Sequence, residues 1–111
     1  MKLNITKEGH FIPTWKGNDK DEEPIEVFYM RLSGNDMTRT MKFAGAGEMS
    51  YDIMEICKRC ITDIKNLEVN GEVVITGEQL TKIPKLHGLC MQVATHIISD
   101  SDLDIELEKK N

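Results

Sequence analysis

The sequence predicts an α+β fold, a mainly helical single domain of about four helices with a short N-terminal β-strand or hairpin. Three observations indicate this fold. The best strand signal is the apolar run at residues 25–32, and apolar residues then recur at helical spacing as far as residue 99. A length of 111 residues suits one hydrophobic core. We therefore expect an irregular arm at 1–24, a globular domain at 25–99 and an acidic tail at 100–111.

The arm is predicted to be irregular because prolines and glycine interrupt it between Pro13 and Pro24. One short strand can form around residues 10–12. Trp15 is the exception in this polar segment, since a lone tryptophan in such a place packs on the domain edge or marks a contact with a partner. We therefore include Trp15 among the candidate partner-binding residues.

The strongest strand is IEVFYMRL at residues 25–32, which is rich in β-branched and aromatic side chains. Apolar residues occupy both of its alternating faces, so both faces are expected to be covered. A turn follows at residues 33–35, and Asp36 is the predicted N-cap of a short helix. That helix would contain Met37, Thr40 and Met41 and would end at Gly45 and Gly47.

A second helix is predicted from a cap at Ser50 to Asn66, where the apolar pattern closes. Its apolar positions recur at steps of three and four: Ile53, Ile56, Cys57, Cys60, Ile61 and Ile64. The next segment, residues 67–75, contains Asn70-Gly71 between apolar residues, a dipeptide typical of hairpins. A hairpin and an ordered loop between helices both fit this segment.

The longest amphipathic signal lies at the end of the predicted domain. Thr76 and Gln79 have the spacing of a capping box, and Pro84 disfavours helix in the residue before it. We therefore predict two helices, at residues 76–82 and 85–99, that meet at a bend. Their apolar stripe consists of Leu80, Ile83, Leu86, Cys90, Val93 and Ile97.

Such a stripe must be buried, either in the chain's own core or against another protein. The residues alone leave both interpretations open. If part of the stripe binds a partner, the candidate partner-binding residues are Trp15, Leu80, Ile83, Leu86, Val93 and Ile97.

The net charge of −5 lies in the flanks of the chain. Residues 1–26 carry six acidic against four basic side chains and residues 100–111 carry five against two, whereas residues 27–99 balance at eight each. Acidic flanks of this kind stay solvated. A nucleic-acid-binding protein would need a clustered basic patch, which the sequence lacks, so we expect no nucleic-acid partner.

The N-terminal residues lack the apolar core of a signal peptide, and no apolar run reaches the roughly 20 residues that span a bilayer. We therefore expect a cytoplasmic protein with no membrane partner. Its three cysteines cannot pair completely, so reduced thiols are expected.

One set of residues has the composition of a zinc site. Cys57 with Cys60 and His87 with Cys90 form two pairs, each with two residues between its members, and 26 residues separate the pairs. Because the first pair falls inside a helical apolar stripe, buried free thiols are the favoured interpretation and zinc is the alternative. We expect no cofactor. We also expect no catalytic residue, since Cys90 and His87 lie close together on one predicted helix without a third group to orient them.

The order of the predicted elements resembles that of the tail assembly chaperones of long-tailed, siphovirus-like bacteriophages. The resemblance covers residues 25–111 and lies in EVFYMRLSGNDM, ITGEQLTKIP and LCMQVATHIISDSDL. In that family, a threonine-containing helix start leads into a proline-marked helix and then into an apolar helix that ends in serine. The corresponding residues here are Val74, Ile75, Thr76, Leu80, Pro84, Leu89, Val93, Ile97 and Ser99.

The resemblance implies a role in virion morphogenesis. Such chaperones bind and solubilise the tape measure protein in the bacterial host cytoplasm and pass it to the tail tube protein. The resemblance also implies self-association. It further implies a longer form of the protein made by ribosomal frameshifting. The alternative function is a small zinc-binding or acidic regulatory protein-interaction module.

Overall fold

Short strands and helices alternate along the chain in the computed structural model, which describes residues 1–2, 7–43 and 49–110. In chain order the elements are β1 (Glu8–Phe11), β2 (Glu26–Met30), α1 (Gly34–Thr40), β3 (Met41–Phe43), β4 (Met49–Tyr51), α2 (Ile53–Cys60), β5 (Ile61–Lys65), β6 (Glu68–Val69), β7 (Glu72–Val73), α3 (Gly77–Thr81) and α4 (His87–Lys110). Two 3-10 helices, Trp15–Lys20 and Pro84–Leu86, precede β2 and α4.

The prediction of a mainly helical domain is wrong, because the fold is mixed α/β. Strands account for a large share of the residues that the structure describes. Within the described residues the strands form a three-stranded antiparallel sheet in the order β1-β2-β5 and two further antiparallel pairs, β3-β4 and β6-β7. The helical segments described here, counting both 3-10 helices, also outnumber the four expected.

A β-bulge explains the largest error, the continuation of the second predicted helix to Asn66. Helix α2 ends at Cys60, and Ile61 already has extended backbone angles. The pairing of β2 with β5 shifts by one residue, so that Thr62 is passed over and Ile61 and Ile64 both face the core. An extra residue in a strand places side chains three apart on one face, which is also the spacing of a helix.

Two predicted helix starts are also corrected. Asp52 caps α2, with its carboxylate accepting from the amide of Glu55 at 3.2 Å, while the expected cap Ser50 lies in β4. Asp36 lies in the first turn of α1, where its carboxylate accepts hydrogen bonds from the amide and hydroxyl of Ser33. The first predicted helix is too long, since α1 ends at Thr40 and Met41 lies in β3, and its expected end at residues 45 and 47 falls outside the described residues.

The structure confirms the hairpin at residues 67–75 over the alternative of a loop. Asn70 and Gly71 have φ angles of 52° and 83°, so both central residues are left-handed, as a two-residue turn between β6 and β7 requires. The predicted capping box at Thr76 and Gln79 is confirmed as well. The bend at Pro84 is confirmed, but the last helix is longer than predicted and runs to Lys110.

The apolar stripe at the end of the domain lies in the core. Leu80, Val93 and Ile97 are fully buried and Leu86 is nearly so. They pack in one cluster with Val27, Tyr29, Ile61 and Ile64 of the three-stranded sheet and with Ile56 and Cys57 of α2. Burial of each large aliphatic side chain contributes about 1.5–3 kcal/mol, so this face of α4 stabilises the fold.

The predicted arm and the start of the predicted tail both pack against the rest of the fold. Strand β1 of the arm pairs with β2 along its whole length. Past residue 99, the buried hydroxyl of Ser101 accepts from the amide of Leu32 at 2.9 Å and donates to the carbonyl of Ile97 at 2.7 Å. The predicted boundaries at residues 24 and 99 therefore fall within continuous packing.

The burial of Val93 generates a stability prediction. Val93→Asp places an unpaired charge in the core and should lower the free energy of unfolding by on the order of 4 kcal/mol. Thr95→Asp, on the exposed side of the same helix, should change it by about 1 kcal/mol or less. Urea denaturation followed by circular dichroism measures both. A folded Val93→Asp variant with unchanged stability would contradict the placement of the stripe in the core.

A second prediction concerns the close approach of α3 to α2. A Cβ atom at Gly77 would lie 1.9 Å from the carbonyl oxygen of Cys57, so only glycine fits there. Gly77→Ala should therefore cost about 3 kcal/mol of stability. Gly34→Ala is the matched control, because a Cβ there meets nothing within 4 Å, and it should change stability by about 0.5 kcal/mol or less. Equal thermal denaturation midpoints for the two variants would refute this contact.

Candidate functional site

Residues 11–15 lie along helix α4 and are held there at successive turns. The side-chain amide of Gln92 accepts from the backbone N–H of Trp15 at 2.9 Å and donates to the hydroxyl of Thr14 at 2.8 Å. One turn earlier, a Cβ at Gly88 would come within 3.1 Å of the indole nitrogen of Trp15, so the glycine lets the indole approach the helix.

The third contact is an aromatic stack. The rings of Phe11 and His96 are parallel within 7° and their centroids are 3.9 Å apart. His96 follows Gln92 by four residues, so the residues that hold this segment share one face of the helix. Together these contacts fix the direction of the chain after β1.

An open groove of about 750 Å³ lies beside this segment. Residues 11–14 form one wall, Gln92 and His96 lie at the base, and Met91, Thr95 and Ser99 of α4 form the other wall. Ile12 and Met91 are each 42% exposed. Among the described residues, no lysine, arginine, aspartate or glutamate lines the groove. We call this feature the arm–helix groove.

A polar network anchors one end of the groove. The Tyr29 hydroxyl donates to Oδ2 of Asp100 at 2.6 Å, and Nε of Arg31 donates to the same oxygen at 2.7 Å. Nε2 of His96 lies 3.1 Å from the Tyr29 hydroxyl oxygen. Because the only hydroxyl proton of Tyr29 is directed at Asp100, Nε2 of His96 must be the donor in that contact. Neutral His96 is therefore the Nε2–H tautomer, with Nδ1 as an acceptor.

The network shifts the titration of two of its members. Burial lowers the pKa of His96, as does the positive charge of Arg31, and the opposing attraction of Asp100 does not compensate. Burial acts to raise the pKa of Asp100, but hydrogen bonds from Tyr29 and Arg31 and the charge of Arg31 outweigh it and lower that pKa. Near neutral pH the network thus holds a neutral imidazole and an ionised carboxylate. This arrangement orients side chains and suits binding.

The structure separates the residues predicted to bind a partner. The four residues Leu80, Leu86, Val93 and Ile97 lie in the core. Ile83 is half-buried against it, and Trp15 is half-buried against Gly88 beside the groove. Of the predicted set, Trp15 therefore lies nearest the groove.

Sequence reasoning missed the groove itself. Its walls come from Ile12 and Thr14 of the predicted irregular arm and from Met91 and Thr95 on the less apolar side of α4. The sequence signal for the groove was the four-residue spacing of Met91, Thr95 and Ser99, which places them on one face of a helix. That signal is weak, because two of the three side chains are small and polar.

The alternative zinc site is not assembled within the described part of the chain, where no three histidine, cysteine or acidic side chains are grouped to hold a metal ion. Cys57, Cys60 and Cys90 are buried free thiols, whereas His87 is exposed. The Cys57 thiol donates to the carbonyl of Cys90 at 3.5 Å. The interaction with the Cys90 side chain, and then burial, raise the pKa of Cys57, and burial raises the pKa of Cys60 to about 11.

Comparison of the chain with protein-family models, with curated proteins and with solved structures found no match. Among the described residues, every helix is too short or too polar to cross a bilayer. Any functional proposal therefore depends on the groove, the network and the sequence pattern.

The lowered pKa of His96 predicts a pH dependence of stability. In the unfolded chain this histidine gains a proton near its ordinary pKa of about 6.5, whereas the folded protein resists protonation until lower pH. The stability present above about pH 6.5 should therefore fall as the pH drops toward the folded-state pKa. His96→Gln, which can still donate to Tyr29, should flatten this part of the profile.

Urea denaturation between about pH 7.5 and pH 5 measures this profile. His87→Gln is the matched control, because His87 is exposed on the same helix and lies outside the network, and it should keep the slope of the parent protein. Identical slopes for the parent protein and His96→Gln would show that His96 does not titrate differently on folding.

Proposed function

We propose that the protein is a phage tail assembly chaperone that binds the tape measure protein in the arm–helix groove. The observation that supports this proposal is a groove whose described lining carries no charged side chain and whose rim keeps Ile12 and Met91 42% exposed. Large exposed apolar side chains around a concave surface are typical of sites that bind apolar segments of other proteins. The chain would act in the bacterial host cytoplasm.

The position of the groove revises where the client is expected to bind. The apolar stripe of α4 closes the core, so it is occupied before any client arrives. The groove lies on the other side of the same helix, where Thr95 and Met91 are exposed. The resemblance to tail assembly chaperones supplies the client class, and the groove supplies a surface of suitable chemistry.

The proposed cycle follows from this single site. Binding of the tape measure protein covers its apolar segments and keeps it soluble until tail tube protein polymerises around it. The groove is open to solvent and nothing described covers it. The client can therefore be released from it. Self-association of the chaperone along the client would cover a longer stretch.

Co-expression tests the proposal. The probe is the long, helical-repeat-rich protein expected to be encoded directly downstream, and the readout is its soluble fraction with and without the chaperone. Thr95→Trp fills the groove and should return the soluble fraction to the level seen without chaperone. Lys58→Trp, which places the same side chain at an exposed position of α2, should leave the effect intact.

A thermal denaturation scan confirms that both variants are folded. If Thr95→Trp solubilises the client as well as the parent protein does, the groove is not the client site. If the parent protein has no effect on the client, the chaperone proposal fails.

A further inference from the structure

We infer that the arm–helix groove takes an extended, uncharged peptide segment, which adds to the free edge of β1 as a fourth strand of the sheet. This inference rests on the proposed function for the location of the site. It adds the conformation and chemistry of the bound segment. Recognition would combine main-chain hydrogen bonds along β1 with alternate side chains placed in the groove.

The register of the sheet shows which main-chain groups face outward. The amide of Arg31 donates to the carbonyl of Lys7 at 2.7 Å, and Gly9 lies opposite Tyr29. In an antiparallel pair, bonded and non-bonded positions alternate, so the N–H and C=O of the residue after Gly9, His10, point away from β2. Within the described residues no strand pairs with that edge.

The side chain of Arg31 covers part of the outward edge of β1. Nη1 of Arg31 donates to the carbonyl oxygen of Glu8 at 3.1 Å. A peptide would therefore pair first with the main chain of His10 and continue toward Ile12. This course leads into the groove, since residues 11–14 line it.

Helix α4 provides the base of the groove and its far wall. Ile97 faces the core, His96 lies under Phe11 at the base, and Thr95 is exposed one further step around the helix. The ridge from Met91 to Ser99 is about 12 Å long at the helical rise per residue. A strand of about four residues has the same length, and β1 has four residues.

Charge complementarity restricts the occupant. The described residues that line the groove include no lysine, arginine, aspartate or glutamate, and His96 is neutral near pH 7. A charged side chain entering it would lose water without gaining a partner. The segment should therefore carry apolar or small uncharged residues at the alternate positions that face Met91 and Thr95.

A second copy of this chain fits less well than a segment of another protein. The inward positions of β1 are engaged, since Gly9 is covered by the Tyr29 ring and Phe11 stacks on His96. The remaining positions are His10 and the charged Glu8. A neighbouring β1 would thus bring no apolar side chain to the groove. A helical segment is also disfavoured, because its main-chain groups are already paired and could not bond to His10, so the bound segment of the client would lie outside its helical repeats.

The probe is a short, capped peptide of alternating valine and threonine with carbon-13 carbonyls. Binding to the parent protein should shift its labelled amide infrared band to that of a paired strand. His10→Pro removes the outward N–H and should weaken peptide affinity about tenfold relative to His10→Ala, which keeps that N–H. Both variants lose the stack of His10 on Phe28, so their difference reports the main-chain bond.

A second experiment changes the peptide and leaves the protein as it is. The same peptide, N-methylated at the alternate amides that would face β1, should lose a similar factor in affinity. Equal affinity of the methylated and unmethylated peptides, or of His10→Pro and His10→Ala, would overturn strand addition. Self-association through β1 without any peptide binding would overturn it as well.

Thr95→Trp distinguishes this inference from the proposed function. If that variant blocks peptide binding while His10→Pro does not, the groove remains the site but the segment does not pair with β1. If Thr95→Trp binds the peptide as the parent protein does, the groove is not the site and both proposals fail.

Discussion

The packing of α4 against the three-stranded sheet is the constraint on which the rest of this structure depends. Its buried face, with Val93 and Ile97 at zero exposure, joins the sheet and α2 in one apolar cluster. Near its middle, the Asp100 carboxylate accepts from Arg31 and the Ser101 hydroxyl accepts from the amide of Leu32, both in the chain that leaves β2. These polar bonds fix the position of the helix along its axis, which apolar packing alone does not specify.

Once α4 is fixed, the course of the N-terminal segment follows. Residues 11–15 bond or stack onto Gly88, Gln92 and His96, which lie beside the core face. The segment cannot cover the whole helix, because β1 is tied to β2 and Pro13 cannot extend the strand pairing. The strip of α4 beyond it stays open. The groove is thus a consequence of how short β1 is and of where it stops.

Local signals in the sequence were enough for the parts of the fold that local chemistry determines. The capping box at Thr76, the bend at Pro84 and the hairpin at Asn70-Gly71 each depend on a few adjacent residues. The passage from α2 to β5 depends instead on pairing with β2, and the bulge beside Thr62 copies helical spacing. The candidate site is non-local in the same way, since an arm and a helix some 80 residues apart form it. Periodicity within one segment cannot reveal such a site.

The two sides of α4 differ in how freely they can change. On the core side, a change of volume at Val93 or Ile97 affects the whole cluster, so substitutions there are tolerated only when size is conserved. On the groove side, Met91, Thr95 and Ser99 line the groove outside that cluster. Binding preference can therefore diverge at these three positions while stability stays nearly constant. A library varied at these positions alone would sample new segment preferences on one unchanged scaffold.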